Sequence, residues 1–223
     1  MTDTIIISGG NIQSDFALDF LRKTIKQSGK TKIRLIAADK GLEFFIKNNI
    51  LPDIAIGDFD SLSDGGKDYL GGQSAMEVIR LKPEKDDSDT QSAVNLAITR
   101  GAENIVILGA TGTRTDHFMA NLGLLVLGYQ SGVSVSLVDS HNYVTLIKSG
   151  TVLKKEEQFG RYVSFFPLGG TVSGLTLRGF KYPLKMHDLT VADSGLTVSN
   201  EIQEPCAEVT FDSGILMMVM SAD

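Results

Sequence analysis

The feature that most narrows the possible fold is a unit repeated along the N-terminal part of the chain. Each unit is a short apolar run, then glycine or an acid, then a longer stretch with helical spacing. Ile5, Ile6 and Ile7 run into Ser8-Gly9-Gly10-Asn11, a strand entering a turn. Phe16, Phe20, Leu21 and Ile25 then recur at helical spacing, with Gly29 as the stop. The same alternation predicts strands over 33–38, 54–56, 76–81, 104–108 and 133–138, and helices over 41–49, 67–70, 88–100 and 115–128. Short apolar strands separated by helices imply a mainly parallel sheet covered on its faces. In such sheets ligands sit beyond the carboxyl ends of the strands.

After Lys148-Ser149-Gly150 the rhythm changes to strand and turn only. Segments 151–153, 162–166, 171–172, 175–177, 196–199, 207–211 and 215–220 are short β candidates, punctuated by Gly, Pro, Asn and Asp. The expected fold class is an α/β N-terminal domain with a mainly parallel sheet, plus an all-β sandwich C-terminal domain. The expected domains are 1–145 and 146–223, with the change of architecture placed between 139 and 152. The chain has 223 residues, 42% of them hydrophobic, which is enough material for one large core or two small ones.

A formal net charge of −6 provides no broad positive field, so neither nucleic acid nor an anionic membrane is an expected partner. One cysteine, Cys206, allows no internal disulfide and no cysteine cluster for zinc; it reads as a small core or semi-buried residue. The start carries Asp3 where a signal peptide needs bases, and its apolar run is short. No stretch approaches the roughly 20 apolar residues that cross a bilayer, so a cytoplasmic protein is expected.

Acids stand where the predicted strands end. Asp39 follows the run over 33–38, and Asp58 and Asp60 follow 54–56 within Gly57-Asp58-Phe59-Asp60-Ser61. Asp86, Asp87 and Asp89 open the helix over 88–100, and Asp116 follows Gly109-Ala110-Thr111-Gly112-Thr113-Arg114-Thr115. One acid at a helix start is an ordinary cap or turn former. Four acidic strand ends on one sheet edge would repel one another unless a cation neutralises them. Oxygen ligands of this kind suit Mg²⁺ together with phosphate. Alternate residues of an extended segment share a side, so Asp58 and Asp60 are expected to reach one ion, with Phe59 turned into the core. The glycines over 109–112 would let backbone approach a phosphate, and Arg114 offers a forked donor for its oxygens. Gly9-Gly10 reads as a turn, and His117 as a partly buried, hydrogen-bonded residue at a helix start, with contact to substrate as the alternative.

In this order, the segments resemble the thiamine pyrophosphokinase family. The matching pieces are Ala38-Asp39-Lys40-Gly41, Pro52-Asp53, Gly57-Asp58-Phe59-Asp60-Ser61-Leu62, Lys85-Asp86-Asp87-Ser88-Asp89 and Gly109 through His117. Gly179-Phe180-Lys181-Tyr182-Pro183-Leu184 and Leu196-Thr197-Val198-Ser199-Asn200-Glu201 extend the likeness to the C-terminal part. Lys40 stands where a second glycine is common in the family, and Tyr182 where some members carry tryptophan.

The resemblance implies an N-terminal domain that holds ATP and Mg²⁺, a C-terminal domain that helps hold thiamine, and a homodimer whose active site is shared between subunits. It puts Asp58, Asp60 and Asp89 on the metal site. Asp39, Gly41, Gly109, Thr111, Gly112 and Arg114 fall on the ATP side, and Tyr182, Ser199 and Asn200 on the thiamine side. Arg114 and Asp116 fall on the catalytic loop. The expected reaction is transfer of the pyrophosphoryl group of ATP to the hydroxyl of thiamine, with Asp116 or Asp86 orienting that hydroxyl or taking its proton. Two rivals remain at this level: a pyrophosphokinase for another alcohol such as a pterin, and a silent nucleotide or thiamine sensor.

Overall fold

Ile5, Ile6 and Ile7 have no exposed surface, as a strand covered on both faces requires. They form β1 (Thr4–Ile7) of a computed structural model that describes residues 2–29, 32–72, 74–84, 86–112 and 114–223. Met1, Lys85 and Thr113, which belong to segments singled out above, lie outside the described residues. The chain divides into two compact units, one ending at Ser140 and the other spanning His141–Asp223.

The first unit continues with α1 (Ser14–Gln27), β2 (Arg34–Ala38), a 3-10 turn at Asp39–Gly41, α2 (Leu42–Lys47), β3 (Ile54–Gly57) and α3 (Asp64–Gly72). There follow β4 (Glu77–Arg80), α4 (Asp89–Thr99), β5 (Asn104–Leu108), α5 (Thr115–Gln130) and β6 (Ser134–Val138). Among the described residues of this unit the strands are parallel, in the order β4-β3-β2-β1-β5-β6. Ile5 faces Leu35 on one side and Val106 on the other. From β1 the chain first builds outward through β2 to β4, then returns to lay β5 on the opposite side of β1. The order therefore reverses between β1 and β5, and the crevice at their carboxyl ends is where such a sheet receives a ligand.

The second unit contains β7 (Asn142–Ile147), β8 (Thr151–Lys154), β9 (Tyr162–Pro167), β10 (Val172–Arg178), β11 (Leu184–Leu189), β12 (Cys206–Thr210) and β13 (Leu216–Ser221). β13 pairs antiparallel with both β7 and β9. The others form a second antiparallel set, β11-β10-β12-β8. Phe165 and Leu216 from the first set pack with Leu175 and Val209 from the second in one core, the arrangement of a sandwich. Phe165 meets Phe180 edge to face, with ring centroids 5.6 Å apart.

Three local expectations are corrected. The predicted strand over 196–199 is instead the last residue of a 3-10 turn, Val191–Leu196, and the bends that follow it. Thr190 and Asp193 close a capping box on that turn, which favours a helical start over an extended one. β11 was not anticipated, because Met186 takes a left-handed φ of 50° and the register shifts along its pairing with β10, which breaks the alternation. Cys206, expected in the core or semi-buried, is exposed at the start of β12.

Candidate functional site

The switch point between β1 and β5 opens into a cleft of about 320 Å³ in the first unit. Its floor is glycine. A Cβ built on Gly10 would stand 2.2 Å from the Gly109 carbonyl oxygen, and Gly109 itself has φ +74°. No side chain fits between these two turns, so backbone lines the cleft. Gly10 N–H donates to Gly109 O at 3.1 Å and locks them together. On the next side, the buried hydroxyls of Ser8 and Thr90 meet at 2.6 Å and tie the end of β1 to the start of α4. Arg114, at the N-cap position of α5, makes no side-chain cap to that helix. The positive end of the helix dipole thus borders the glycine floor, a place that favours anionic oxygen.

Beside this cleft the acids gather, in a different way from the one expected. Carboxylate oxygens of Asp39, Asp58 and Asp60 all lie within 4.8 Å of one another. Asp58 and Asp60 do not converge through an extended alternation. Phe59 between them takes a left-handed φ of 63° and is 2% exposed, so a turn anchored by the buried ring folds the two acids together. Asp60 N–H donates to Asp58 Oδ1 at 3.2 Å within that turn. Asp39 arrives from the end of β2 with a φ of 46°. β3 passes close beneath it, since a Cβ on Gly57 would lie 3.0 Å from Asp39 Cα. Ser61 Oγ stands 2.7 Å from Asp39 Oδ2 and 2.9 Å from Asp60 Oδ1, one hydroxyl proton between two carboxylates.

Asp39 Oδ1 is buried and has no hydrogen-bond partner. A buried carboxylate oxygen without a donor is costly unless something positive meets it. An all-oxygen set with one such orphan fits a hard divalent cation.

Of the expected metal set, Asp58 and Asp60 lie in this close group together with Asp39, and Asp89 is not one of its three members. Asp89 opens α4 after a different strand and lines the cleft with Asp39. Its neighbours have separate tasks. Ser88 caps α4 by accepting Gln91 N–H at 3.2 Å, and Asp87 accepts from the side chains of Gln91 and Asn95. Asp86 is exposed. Asp53 accepts Leu35 N–H at 2.9 Å, so this acid ties the start of β3 to β2.

Arg114 holds Asp116 through both prongs of its fork, Nη2 at 2.6 Å and Nε at 3.1 Å. This hydrogen-bonded pairing, helped by the His117 N–H, pulls the Asp116 carboxyl down to about 2. It raises the Arg114 guanidinium above its ordinary value. Asp116 is accordingly a weak base while the pair stands.

Of the residues expected on the ATP side, Asp39, Gly109, Gly112 and Arg114 line the cleft. Gly41 and Thr111 are not among its lining residues. Gly41 is buried, and a Cβ there would lie 2.0 Å from Ile7 O, so it serves close packing of the turn on β1. His117 is exposed and lines the cleft, where partial burial was expected. Ser8, Ser61, Thr90 and Asn121 also line it and were not foreseen. Asn121 was open to inference: it lies four residues after His117, on the same face of α5.

In the second unit, Tyr182 is 56% exposed and Ser199 is exposed with φ 56°. Asn200 is 2% exposed, and its amide bonds the backbone of Tyr182. Glu201 accepts from Lys181 Nζ at 2.8 Å and Arg161 Nε at 3.0 Å, and these two cations lower its carboxyl below the usual range. No described helix is long and apolar enough to cross a membrane.

Residues 25–137 match the model of the thiamin pyrophosphokinase catalytic domain, and residues 150–216 that of the thiamin pyrophosphokinase vitamin B1 binding domain. The thiamine pyrophosphokinase of Bacillus subtilis (strain 168) is 34% identical over 188 residues, covering 84% of this chain and 87% of that protein. The crystal structure of a Bacillus subtilis thiamine pyrophosphokinase superposes with a TM-score of 0.84 at 31% identity, covering 99% of both chains. A family protein from Enterococcus faecalis gives 0.81 at 30% identity over the full length of both.

Proposed function

The chain belongs to the thiamin pyrophosphokinase family, and from that premise we propose the following reading of its site. It is an ATP-dependent thiamine diphosphokinase: it moves the pyrophosphoryl group of ATP to the primary hydroxyl of thiamine and releases AMP. The observation that carries the reading is the three-carboxylate group of Asp39, Asp58 and Asp60 beside a glycine-floored, helix-capped cleft. A triphosphate needs both halves of that arrangement, open backbone for its oxygens and acids for its accompanying cation.

Residues 1–145 take ATP and the cation; residues 146–223 take thiamine. Asp58 and Asp60 would hold Mg²⁺, with Asp39 beside them and Asp89 reaching from the start of α4. When bound there, Mg²⁺ supplies positive charge to phosphate oxygens as negative charge builds on them. Gly9, Gly10, Gly109 and Gly112 let the triphosphate lie against main chain, and Arg114 turns its fork from Asp116 to the phosphate. The thiamine hydroxyl oxygen bonds to the β-phosphorus as the bond from that phosphorus to the α-side bridging oxygen breaks, and AMP leaves with the electron pair. The hydroxyl proton passes to a carboxylate and on to water. Asp116 orients the hydroxyl while paired with Arg114, and becomes a better base once phosphate draws Arg114 away; Asp86 is the other candidate. Alignment and charge stabilisation supply the acceleration, with no covalent intermediate on the protein.

Tyr182 and Ser199 face thiamine, whose cationic thiazolium suits an aromatic face. We place the protein as a homodimer with the active site at the subunit interface. Exposed Met186, Val191, Leu196 and Val198 in the second unit support an apolar contact surface there. The test is an assay of purified protein with ATP, Mg²⁺ and thiamine. Thiamine diphosphate and AMP should form in equal amounts, and EDTA should abolish both. Turnover of a pterin alcohol but not of thiamine would overturn the substrate, and ATP binding without AMP release would overturn the enzyme.

A further inference from the structure

Tyr182 lies outside any regular strand, between β10 and β11, and is followed by Pro183, which has no N–H to offer a ladder. Its own backbone groups must therefore find partners elsewhere. Both find the same side chain. Tyr182 N–H donates to Asn200 Oδ1 at 3.0 Å, and Asn200 Nδ2 donates to Tyr182 O at 2.7 Å. Asn200 Oδ1 also accepts Glu201 N–H at 2.9 Å. An oxygen facing two N–H groups and a nitrogen facing a carbonyl admit only one orientation of the amide.

Asn200 is itself fixed. Its main chain exchanges both hydrogen bonds with Val163, and the residue is 2% exposed. A direct contact between this side chain and a ligand has little surface to use. The ring it carries indirectly is the opposite case: Tyr182 is 56% exposed, with Lys181 Nζ 5.5 Å from its centroid and that ammonium tied to Glu201. With its backbone clamped from both sides, Tyr182 keeps only its own side-chain torsions as freedom.

We propose that Asn200 is a positioning residue, whose buried amide presets the Tyr182 backbone so that the exposed ring meets the cationic aromatic ring of thiamine without an ordering step. The inference rests on the reading above that Tyr182 faces thiamine. A ring whose backbone is already held in place loses less freedom on binding, and the difference appears in substrate affinity. Asn200 acts on thiamine through Tyr182 alone.

The experiment is a double-mutant cycle in the full-length enzyme with Mg²⁺, using Asn200→Ala, Tyr182→Ala and the double variant. KM for thiamine, KM for ATP and kcat are measured for each. Asn200→Ala should raise KM for thiamine about tenfold, with kcat and KM for ATP within about twofold of the parent enzyme. In the Tyr182→Ala background it should add nothing. An effect that multiplies onto that of Tyr182→Ala, or that falls equally on both substrates and kcat, overturns the positioning role. If Tyr182→Ala raises KM for thiamine and the Asn200 variants leave it unchanged, the clamp alone is refuted. If Tyr182→Ala leaves it unchanged, the thiamine assignment falls and the clamp with it. Should Asn200→Ala fail to fold, Asn200→Asp carries the same cycle: it keeps the oxygen that accepts both N–H groups and replaces the donor to Tyr182 O with a repelling one.

Discussion

Replacing Asp39 by Asn separates the charge of the acid group from its shape. Asp58 and Asp60 are two residues apart, so much of their mutual repulsion exists in the unfolded chain as well. Asp39 approaches both of them only on folding, to within 4.8 Å. One such contact costs about 1 kcal/mol at the dielectric of water and about 3.5 kcal/mol at an effective value of 20. Asp39 and Asp58 are half-buried and Asp60 is exposed, which puts the true cost toward the lower figure. Salt at 0.15 M, with a Debye length of about 8 Å, trims it further. Two contacts together then amount to about 1–2 kcal/mol. The amide loses nothing in exchange: its oxygen still accepts the Ser61 hydroxyl, and Asn tolerates the left-handed φ of 46° as well as Asp does. Asp39→Asn should thus raise the thermal midpoint of the EDTA-treated protein, by about 2–4 °C per kcal/mol for a chain of this size. With Mg²⁺ the order reverses in function, and turnover should fall by about tenfold or more. The assay is calorimetry in EDTA across a salt series, beside steady-state kinetics. The electrostatic account fails if the midpoint drops in EDTA, or if the rise persists in 1 M NaCl, where the Debye length is about 3 Å.

Arg114→Lys leaves a charge but no fork, so kcat/KM for ATP should fall about tenfold or more, and carboxyl NMR should find the Asp116 midpoint climbing from about 2 toward the ordinary range. Because the folded-state value of Asp116 is depressed, its contribution to stability is complete above the unfolded value and fades as pH falls toward about 2. Asp116→Asn should lower stability at neutral pH, where that contribution is complete, and should remove that part of the acid-side slope in urea unfolding, so that the two proteins converge as pH falls toward about 2. Gly10→Ala drives a Cβ to 2.2 Å from Gly109 O and should cost about 1–3 kcal/mol in denaturant melts while raising KM for ATP. Gly71→Ala, in open space on α3, should instead stabilise by about 0.5–1 kcal/mol. At Phe59 the usual order should invert: Phe59→Gly should be more stable than Phe59→Ala by about 1 kcal/mol, because both lose the ring but only glycine is at ease with φ 63°. Equal or reversed midpoints would show that the left-handed turn is not retained.

The parallel sheet was legible because its strands are short apolar runs cut off by glycine and acid, and burial on both faces leaves no other use for Ile5-Ile6-Ile7. The acids at strand ends were legible for the same reason, since the end of a strand is a position in sequence. What the sequence could not convey was how each end turns. Asp58 and Asp60 come together through left-handed Phe59, and nothing in a phenylalanine announces a positive φ. Asp39 joins them because β3 passes under it at Gly57, a tertiary contact with no local signature. Asp89 stands outside the close group although it follows a strand like the others, because it begins a helix where Asp58 and Asp60 occupy a turn. In the second unit the turn-rich pattern pointed to a sandwich, while Met186 hid β11 by breaking its alternation. The inward turn of the Asn200 amide follows from the backbone needs of Tyr182, eighteen residues earlier.

Two strained residues at one site call for something that holds them, and the packing shows what does. A left-handed conformation in a bulky residue costs about 1–2 kcal/mol. Phe59 offsets this with its own ring, which is 2% exposed and lies under the Arg80 guanidinium at 5.6 Å; burying such a side chain contributes about 1.5–3 kcal/mol. Asp39 has no ring to bury, and its turn is held by the Ser61 hydroxyl and by the closeness of Gly57. The forces that fix the backbone thus lie beneath and beside the acids, and the repulsion lies on top, where a cation can reach it. That separation is why the cation need not order the turn in order to bind. On the proposed reading it would meet carboxylates already within 4.8 Å of one another, and the relief of their repulsion would go into affinity. A site that used the same attraction to fold its own loop would retain less of it for holding the phosphate.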